Sequence, residues 1–426
     1  MVATRVRRSE VRSMPAAPLP HPTDVAVIGG GAAGLMAAIF ASRSGARVVV
    51  LEATRRGGKK IVVSGGGRCN VLPSVADERL FVTDSSPRLL ARILGSWPLA
   101  EQRAFFEGDL GVPLALEAET GKLFPASNRA TDVRDALVDA ARQSGADFWF
   151  EAAVAAVEPR GGGWRIALRD GRQVDARAVV VATGGLSVPA TGSDGFGLRL
   201  AETLGHAVAP TYPALAPLTA SPAPHADLAG VSVPDAHVRV PLAKGAFATS
   251  GGFLFTHRGY SGPAVLNVSH LTALGRARGE APAVLVRWAD DAEAWEAALT
   301  EPGRGLVAST LRQSLPARLA DRLMADADVP PDRARADLRR DERKRLLDAL
   351  TAYPLPWTGD EGYKKAEVTG GGVRLGEVAV GSLESRRHPG LFFAGEVLDA
   401  FGPIGGYNFL WAWATVRLTG LGAAGA

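Results

Sequence analysis

Cysteine is nearly absent from this 426-residue chain: there is one, Cys69, beside seven histidines and five tyrosines. One cysteine excludes an internal disulfide framework and any dithiol redox pair, and it fits a reducing cytoplasm. Neither a metal-ligand cluster, an internal repeat nor a Ser-His-Asp arrangement is apparent, so no metal is expected. Net charge is also scarce, only +4 over the whole length. The pI of about 9.4 therefore reflects a slight arginine excess and not a nucleic-acid footprint. The segment 301–350 looks basic, but its eleven Lys and Arg face nine Asp and Glu, as in a salt-bridged, solvated helix. Long apolar runs are missing too. Arg5, Arg7, Arg8 and Arg12 precede an apolar stretch over 25–41 in imitation of a signal peptide. Four glycines break that stretch, which is too short to span a bilayer. Residues 1–20 read as a disordered tail and the chain as soluble, with no membrane partner.

What is present is glycine, with 50 residues, and an ordinary 46% apolar content. The length exceeds one core and implies two or three domains. The stretch "DVAVIGGGAAGLMAAIFASRSGARVVVLEA" (24–53) carries a short apolar strand over 25–28, then Gly29, Gly31 and Gly34 in G-x-G-x-x-G spacing. A helix over 32–44, a buried strand over 48–51 and the acid Glu52 follow. Gly29 permits the tight turn, Gly31 lets a pyrophosphate touch backbone, and Gly34 lets helix and strand approach closely. The helix N-terminus offers free N–H groups and a positive dipole end to phosphates, and Glu52 can accept from both ribose hydroxyls. Alone, this fingerprint does not separate FAD from NAD.

Two further strand ends point to the same ligand. Residues 391–394 form a buried strand ending in Gly395-Glu396, and Gly405-Gly406 opens a helix through Trp411 and Trp413. The acid can accept from a ribityl chain, and the helix N-terminus suits the edge where reduced flavin carries negative charge. A strand over 179–182 delivers Thr183-Gly184-Gly185. Three glycine-bearing strand ends argue for FAD, the longer dinucleotide. The remaining glycine cluster, "SGGGRCN" (64–70), admits three readings: a reactive cysteine, a phosphate cradle or a plain turn.

The ordered segments "VIGGGAAGLMAA", "KKIVVSGGGRCNV", "KLFPASNRATDV", "VATGGLSVPATGS", "FLFTHRGYSGPAVLNVS" and "FFAGEVLDAFGPIGGYN" resemble the signatures of the BaiN/RdsA-like NAD(P)/FAD-dependent oxidoreductases, from about Asp24 to Gly420. The resemblance implies an α/β fold: a Rossmann-like, two-dinucleotide-binding-type FAD domain built from both chain ends (21–207 and 356–426). An inserted β-rich domain (208–300) and a small helical subdomain (301–355) would interrupt it. It implies FAD contacts from Gly29, Gly31, Ala33, Gly34 and Glu52; from Lys60, Ser64, Gly65, Gly66, Arg68, Cys69 and Asn70; from Val154, Thr183 and Gly184; and from Gly395, Glu396, Gly405, Gly406, Tyr407 and Asn408. Val188 and Ala190 stand where many relatives carry tyrosine and lysine, and Leu410 where glutamine is common. In this setting the 64–70 loop reads as a flavin seat, and Cys69, without a second thiol, as a small packing residue.

From residue 212 onward proline becomes frequent and "HVRVPL" (237–242) alternates as a strand does. His257 is the best-placed acid or base there, with Tyr260 and Tyr407 as further proton donors to substrate. The "FTHRGYSGP" turn (255–263) of the inserted domain is expected to cover the flavin crevice. Family members include reductases of steroid-like enones and an amine oxidase acting on aminoacetone. The leading expectation is NAD(P)H-dependent reduction of a small organic substrate by hydride transfer through the flavin, NADH or NADPH visiting transiently. An oxygen-using amine oxidase and a non-catalytic flavin sensor are the alternatives. The oligomeric state is left open.

Overall fold

The computed structural model describes residues 23–289, 291–302 and 305–426; the tail expected over 1–20 lies outside them. Strand β1 (Thr23–Ile28), helix α1 (Ala32–Arg43) and strand β2 (Val48–Leu51) form a parallel βαβ unit, with Val25 opposite Val48 and Ile28 opposite Leu51. These strands are almost continuously apolar because helices cover both faces of a parallel sheet. On the other side of β1 runs Gln173–Val181, in register from Val25↔Ala178 to Ile28↔Val181. Its first half pairs with Gly163–Leu168 and its second half, in parallel, with Leu391–Phe393. Strand ends from residues 28, 181 and 393 therefore meet at one sheet edge.

The C-terminal helix Tyr407–Gly425 packs along α1. It is apolar all round, with Leu410, Trp411, Trp413 and Val416 buried, as a helix enclosed by its own domain must be. Gly420 sets the approach: a Cβ there would stand 2.7 Å from Phe40 Cβ.

A second core begins at Leu218. Its seven-stranded sheet runs in the order Tyr353–Pro354, Leu285–Arg287, Ser232–Pro241, Ala246–Thr256, Gly259–Ser261, Leu218–Thr219, Gly359–Asp360. The helices Ala292–Thr300 to Arg340–Thr351 have no core of their own. Trp295, Leu311, Leu319 and Leu346 join one buried cluster with Phe253, Phe255 and Trp288 of the sheet. The segment expected as a separate helical subdomain is thus a layer on the inserted sheet. Val208–Ala214, placed in the inserted domain by its prolines, pairs instead with Val368–Val373. Gly370 makes that pairing possible, since a side chain there would overlap the Tyr212 ring.

Trp288 anchors the second core, fully buried, edge-on to Phe253 at 5.1 Å and stacked on Phe255 at 5.5 Å. Trp288→Ala should cost about 3–5 kcal/mol in urea unfolding, the range for emptying a large aromatic site. A loss under about 1 kcal/mol would show that this cluster does not hold the domain.

Candidate active site: a dinucleotide cradle

A cavity of about 480 Å³ follows the carboxyl ends of β1, Gln173–Val181 and Leu391–Phe393, where ligands of open α/β sheets bind. Gly29, Gly31, Ala33, Glu52, Val154, Thr183, Gly184, Gly395 and Glu396 all line it. At one end, α1 begins after Gly31 with no side chain capping it, so its N–H groups are open to an anion. A Cβ built on Gly31 would meet no protein atom within 4 Å, so the space beside it is left clear. Gly34 behaves oppositely: it does not line the cavity, and a Cβ there would overlap the Gly29 carbonyl oxygen. Glu52 is buried, one carboxylate oxygen accepting from the Gly30 amide and the other from the Thr54 amide, both at 2.8 Å.

In the middle of the cavity wall, α2 (Lys59–Val63) contributes Lys60. Its Nζ lies 2.7 Å from Glu396 Oε2 and 2.5 Å from Ser187 Oγ. Glu396 Oε1 accepts from Ser187 Oγ at 2.5 Å and from the Thr369 amide at 3.0 Å. Lys60 is thus neutralised by the acid expected at the ribityl chain and is not a free cation.

At the far end the 64–70 loop meets the C-terminal helix. Gly65, Gly66 and Gly67 and Cys69 have positive φ, which glycine adopts without strain. Ser64, Gly65, Gly66, Arg68 and Asn70 line the cavity with Gly405, Gly406 and Asn408. Ser64 Oγ donates to the Ile61 carbonyl at 2.7 Å. In the amide orientation that satisfies both neighbours, the Asn70 carboxamide accepts from the Gly406 amide at 3.0 Å and donates to the Leu72 carbonyl at 3.2 Å. Asn408 clamps Gly402 through both amide and carbonyl, at 2.9 Å each. Arg68 pairs with Glu117 at 2.9 Å and lies 4.0 Å above the Phe124 ring. The C-terminal helix starts at left-handed Gly406, again without a side-chain cap. The uncapped N-termini of α1 and of the C-terminal helix therefore face one cavity, and this donor set fits FAD, whose pyrophosphate and reduced ring are both anionic.

Besides Gly34, four expected site residues are elsewhere, for reasons of register and packing. Cys69 is fully buried outside the cavity, and burial pushes its thiol up to about 12, so it packs and does not react. Tyr407 points its ring edge-on toward Phe81, 5.8 Å between centroids, and lines no part of the cavity. In the hairpin, Phe255 pairs with Tyr260, which sends both rings into the inserted core and leaves His257 exposed at the tip. The Tyr260 hydroxyl is 2.8 Å from His225 Nδ1. The 255–263 turn consequently does not line the cavity; the inserted domain instead reaches the cofactor domain through Asn267 Oδ1, which accepts from the Ile404 amide at 2.8 Å. Sequence reasoning missed Lys122, Ile404 and Glu367, all on the cavity wall. For Glu367 the signal was an acid opening an otherwise apolar, glycine-rich strand.

The two glycines should separate in experiment. Gly31→Leu should leave the melting temperature of the FAD-free protein unchanged while weakening FAD binding at least about tenfold, roughly 1.4 kcal/mol. Gly34→Ala should destabilise even the FAD-free protein by about 1–3 kcal/mol, the usual cost of overpacking. Equal melting temperatures for both variants would contradict the division. Cys69 should resist alkylation at pH 8 until urea unfolds the chain, and Cys69→Ser should keep flavin reduction within about tenfold, a barrier change of 1.4 kcal/mol. Rapid labelling of the folded protein would revive the thiol reading.

The family model described as the HI0933-like protein Rossmann domain matches residues 23–422. The ribosomal RNA dihydrouridine synthase of Escherichia coli (strain K12) is 34% identical over 398 residues, covering 92% of this chain and 96% of that protein. The 3-dehydro-bile acid delta(4,6)-reductase of Clostridium scindens is 33% identical over 409 residues, covering 94% and 98%. Among solved structures, the 3-ketosteroid delta1-dehydrogenase from Sterolibacterium denitrificans, in complex with 1,4-androstadiene-3,17-dione, superposes with a TM-score of 0.53 at 13% identity. It covers 95% of this chain and 99% of that one, a likeness of fold alone. With the cradle and these matches together, the chain belongs to the HI0933-like family of Rossmann FAD-binding proteins and is an FAD-dependent oxidoreductase.

Proposed function

We propose that the protein reduces a small organic substrate whose C=C bond is conjugated with a carbonyl, with NADH or NADPH as a transient hydride donor. One observation carries this: the G-x-G-x-x-G that follows a strand, Gly29 to Gly34, opens the cavity that the uncapped N-termini of α1 and the C-terminal helix face, while the other match to that spacing, Gly420 to Gly425, lies within the C-terminal helix. Nicotinamide and substrate then take turns at the same flavin, and ping-pong kinetics follow. Bound FAD carries the hydride; the chain orients it and offers the positive end of the C-terminal helix to the charge that accumulates on reduction.

The relatives support the substrate class, since one is named for forming dihydrouridine and the other for reducing a delta(4,6) bile acid. In the basic stretch near 340, Arg333 and Arg339 both pair with Glu342 at 2.9 Å, and Arg345 pairs with Asp341 at 3.0 Å. Among the described residues no helix is long and apolar enough to cross a membrane, and with its single reduced thiol the protein is proposed to work in the cytoplasm.

Anaerobic mixing decides among the readings. NADH or NADPH should bleach the flavin within seconds, and a simple cyclic enone should then restore the colour. Bleaching by amines alone would establish the oxidase instead. No bleaching by either would leave a sensor, and recolouring by structured RNA but no small enone would overturn the small-molecule assignment.

A further inference from the structure

We propose that Glu367 is the acid that protonates the substrate carbon next to the one receiving hydride, an assignment that rests on the reductase reading above. Such a reduction needs two deliveries. A hydride from the reduced flavin forms the C–H bond at the β carbon and the C=C π bond breaks. The Glu367 O–H bond then breaks and its proton forms the C–H bond at the α carbon. The resulting carboxylate recovers a proton from water, so atoms and electrons balance with NAD(P)H as the ultimate reductant.

The three residues first expected to supply the proton cannot do so from where they lie: Tyr407 packs on Phe81 outside the cavity, and Tyr260 and His257 belong to the inserted sheet and its exposed tip. Glu367 is on the wall of the cavity itself, at the entry to the buried strand Val368–Val373. Its backbone is fixed, the amide donating to the Leu215 carbonyl at 3.2 Å.

What singles it out is the contrast with the neighbouring acid. Glu396 is surrounded by donors: Lys60 at 2.7 Å, Ser187 at 2.5 Å and the Thr369 amide at 3.0 Å. Thr369 is only two residues beyond Glu367, yet no hydrogen bond or ion pair among the described residues holds the Glu367 carboxyl. Two acids on one wall, one saturated with donors and one with none, is the arrangement in which environments divide acid from carboxylate roles. The charges acting on Glu367 agree. Burial raises its pKa most, Lys60 on α2 lowers it, and Glu396 raises it again. The residue is nonetheless exposed to solvent in the FAD-free chain, and that is the route by which a spent carboxylate would be reprotonated.

The other proton carriers on this wall are committed elsewhere. Glu52 holds two amides at the opposite end of the cavity, Lys60 is paired with Glu396, and Arg68 is paired with Glu117. Asp194 accepts from the Phe196 amide at 3.0 Å; Lys122, half-buried with its pKa lowered by burial, and the exposed Lys59 are the competitors that remain on the wall.

Three variants and two readouts test this. Glu367→Gln should retain FAD with an unchanged visible spectrum and be bleached by NAD(P)H within about threefold of the parent rate, while recolouring by 2-cyclohexenone slows at least about a hundredfold. Glu367→Asp should recover part of that loss, and Lys122→Met should not share it. In the parent protein the recolouring rate should fall as pH rises through the raised carboxyl pKa, because only the neutral acid donates; the fall should vanish in Glu367→Gln. Independently of turnover, infrared spectra of the FAD-free protein should show a protonated-carboxyl C=O band persisting above the ordinary carboxylate range, lost in Glu367→Gln. An active Glu367→Gln, a defect that follows Lys122→Met instead, or loss of FAD binding in Glu367→Gln would overturn the assignment alone. A parent protein inert toward every enone would overturn the reductase reading and this donor with it.

Discussion

The ion pair between Lys60 and Glu396 joins parts of the chain 336 residues apart and draws Ser187 and Thr369 into the same knot. Four segments, from α2, from the loop after Gln173–Val181, from Val368–Val373 and from the end of Leu391–Phe393, meet there on one wall. A ligand as long as FAD needs such a wall, because no single βαβ unit is large enough to hold both its adenosine and its flavin. The knot also decides the electrostatics of the site. It consumes the lysine that would otherwise be a free cation beside the flavin, and it leaves Glu367 as the acid without a partner.

The inserted domain has its own core but meets this arrangement in a small shared apolar cluster, where Leu266, Ala273 and Leu274 pack with Val368, Phe401 and Ile404. Its own core, centred on Phe253, Phe255 and Trp288, is separate from the cofactor core, and the cavity wall takes no residue from its sheet. A two-stranded bridge, Val208–Ala214 with Val368–Val373, carries the chain across, and Asn267 touches the loop before Gly405.

Local spacing made the cofactor end legible. Gly29, Gly31, Gly34 and Glu52 lie within one βαβ unit, so sequence distance translates directly into geometry, and the strand ends at 181 and 393 were recognisable by the glycines that follow. Even there the roles differed: Gly34 serves helix packing, and Gly31 serves the ligand. Register was not legible. Whether Tyr260 faced the crevice depended on its pairing with Phe255, and whether His257 was buried depended on where the hairpin turned; neither is encoded in spacing. Glu367 was overlooked because its meaning depends on what Glu396, 29 residues later, has already bound.

The central claim is that one cradle takes one FAD, adenosine beside Glu52 and flavin between the 64–70 loop and the start of the C-terminal helix. Titrating the FAD-free protein with FAD, followed by determining the structure of the complex, tests it most directly. The account predicts one FAD per chain in that direction, with the pyrophosphate at the N-terminus of α1. FAD bound outside this cavity, or reversed so that adenine lies at Gly406, would contradict it.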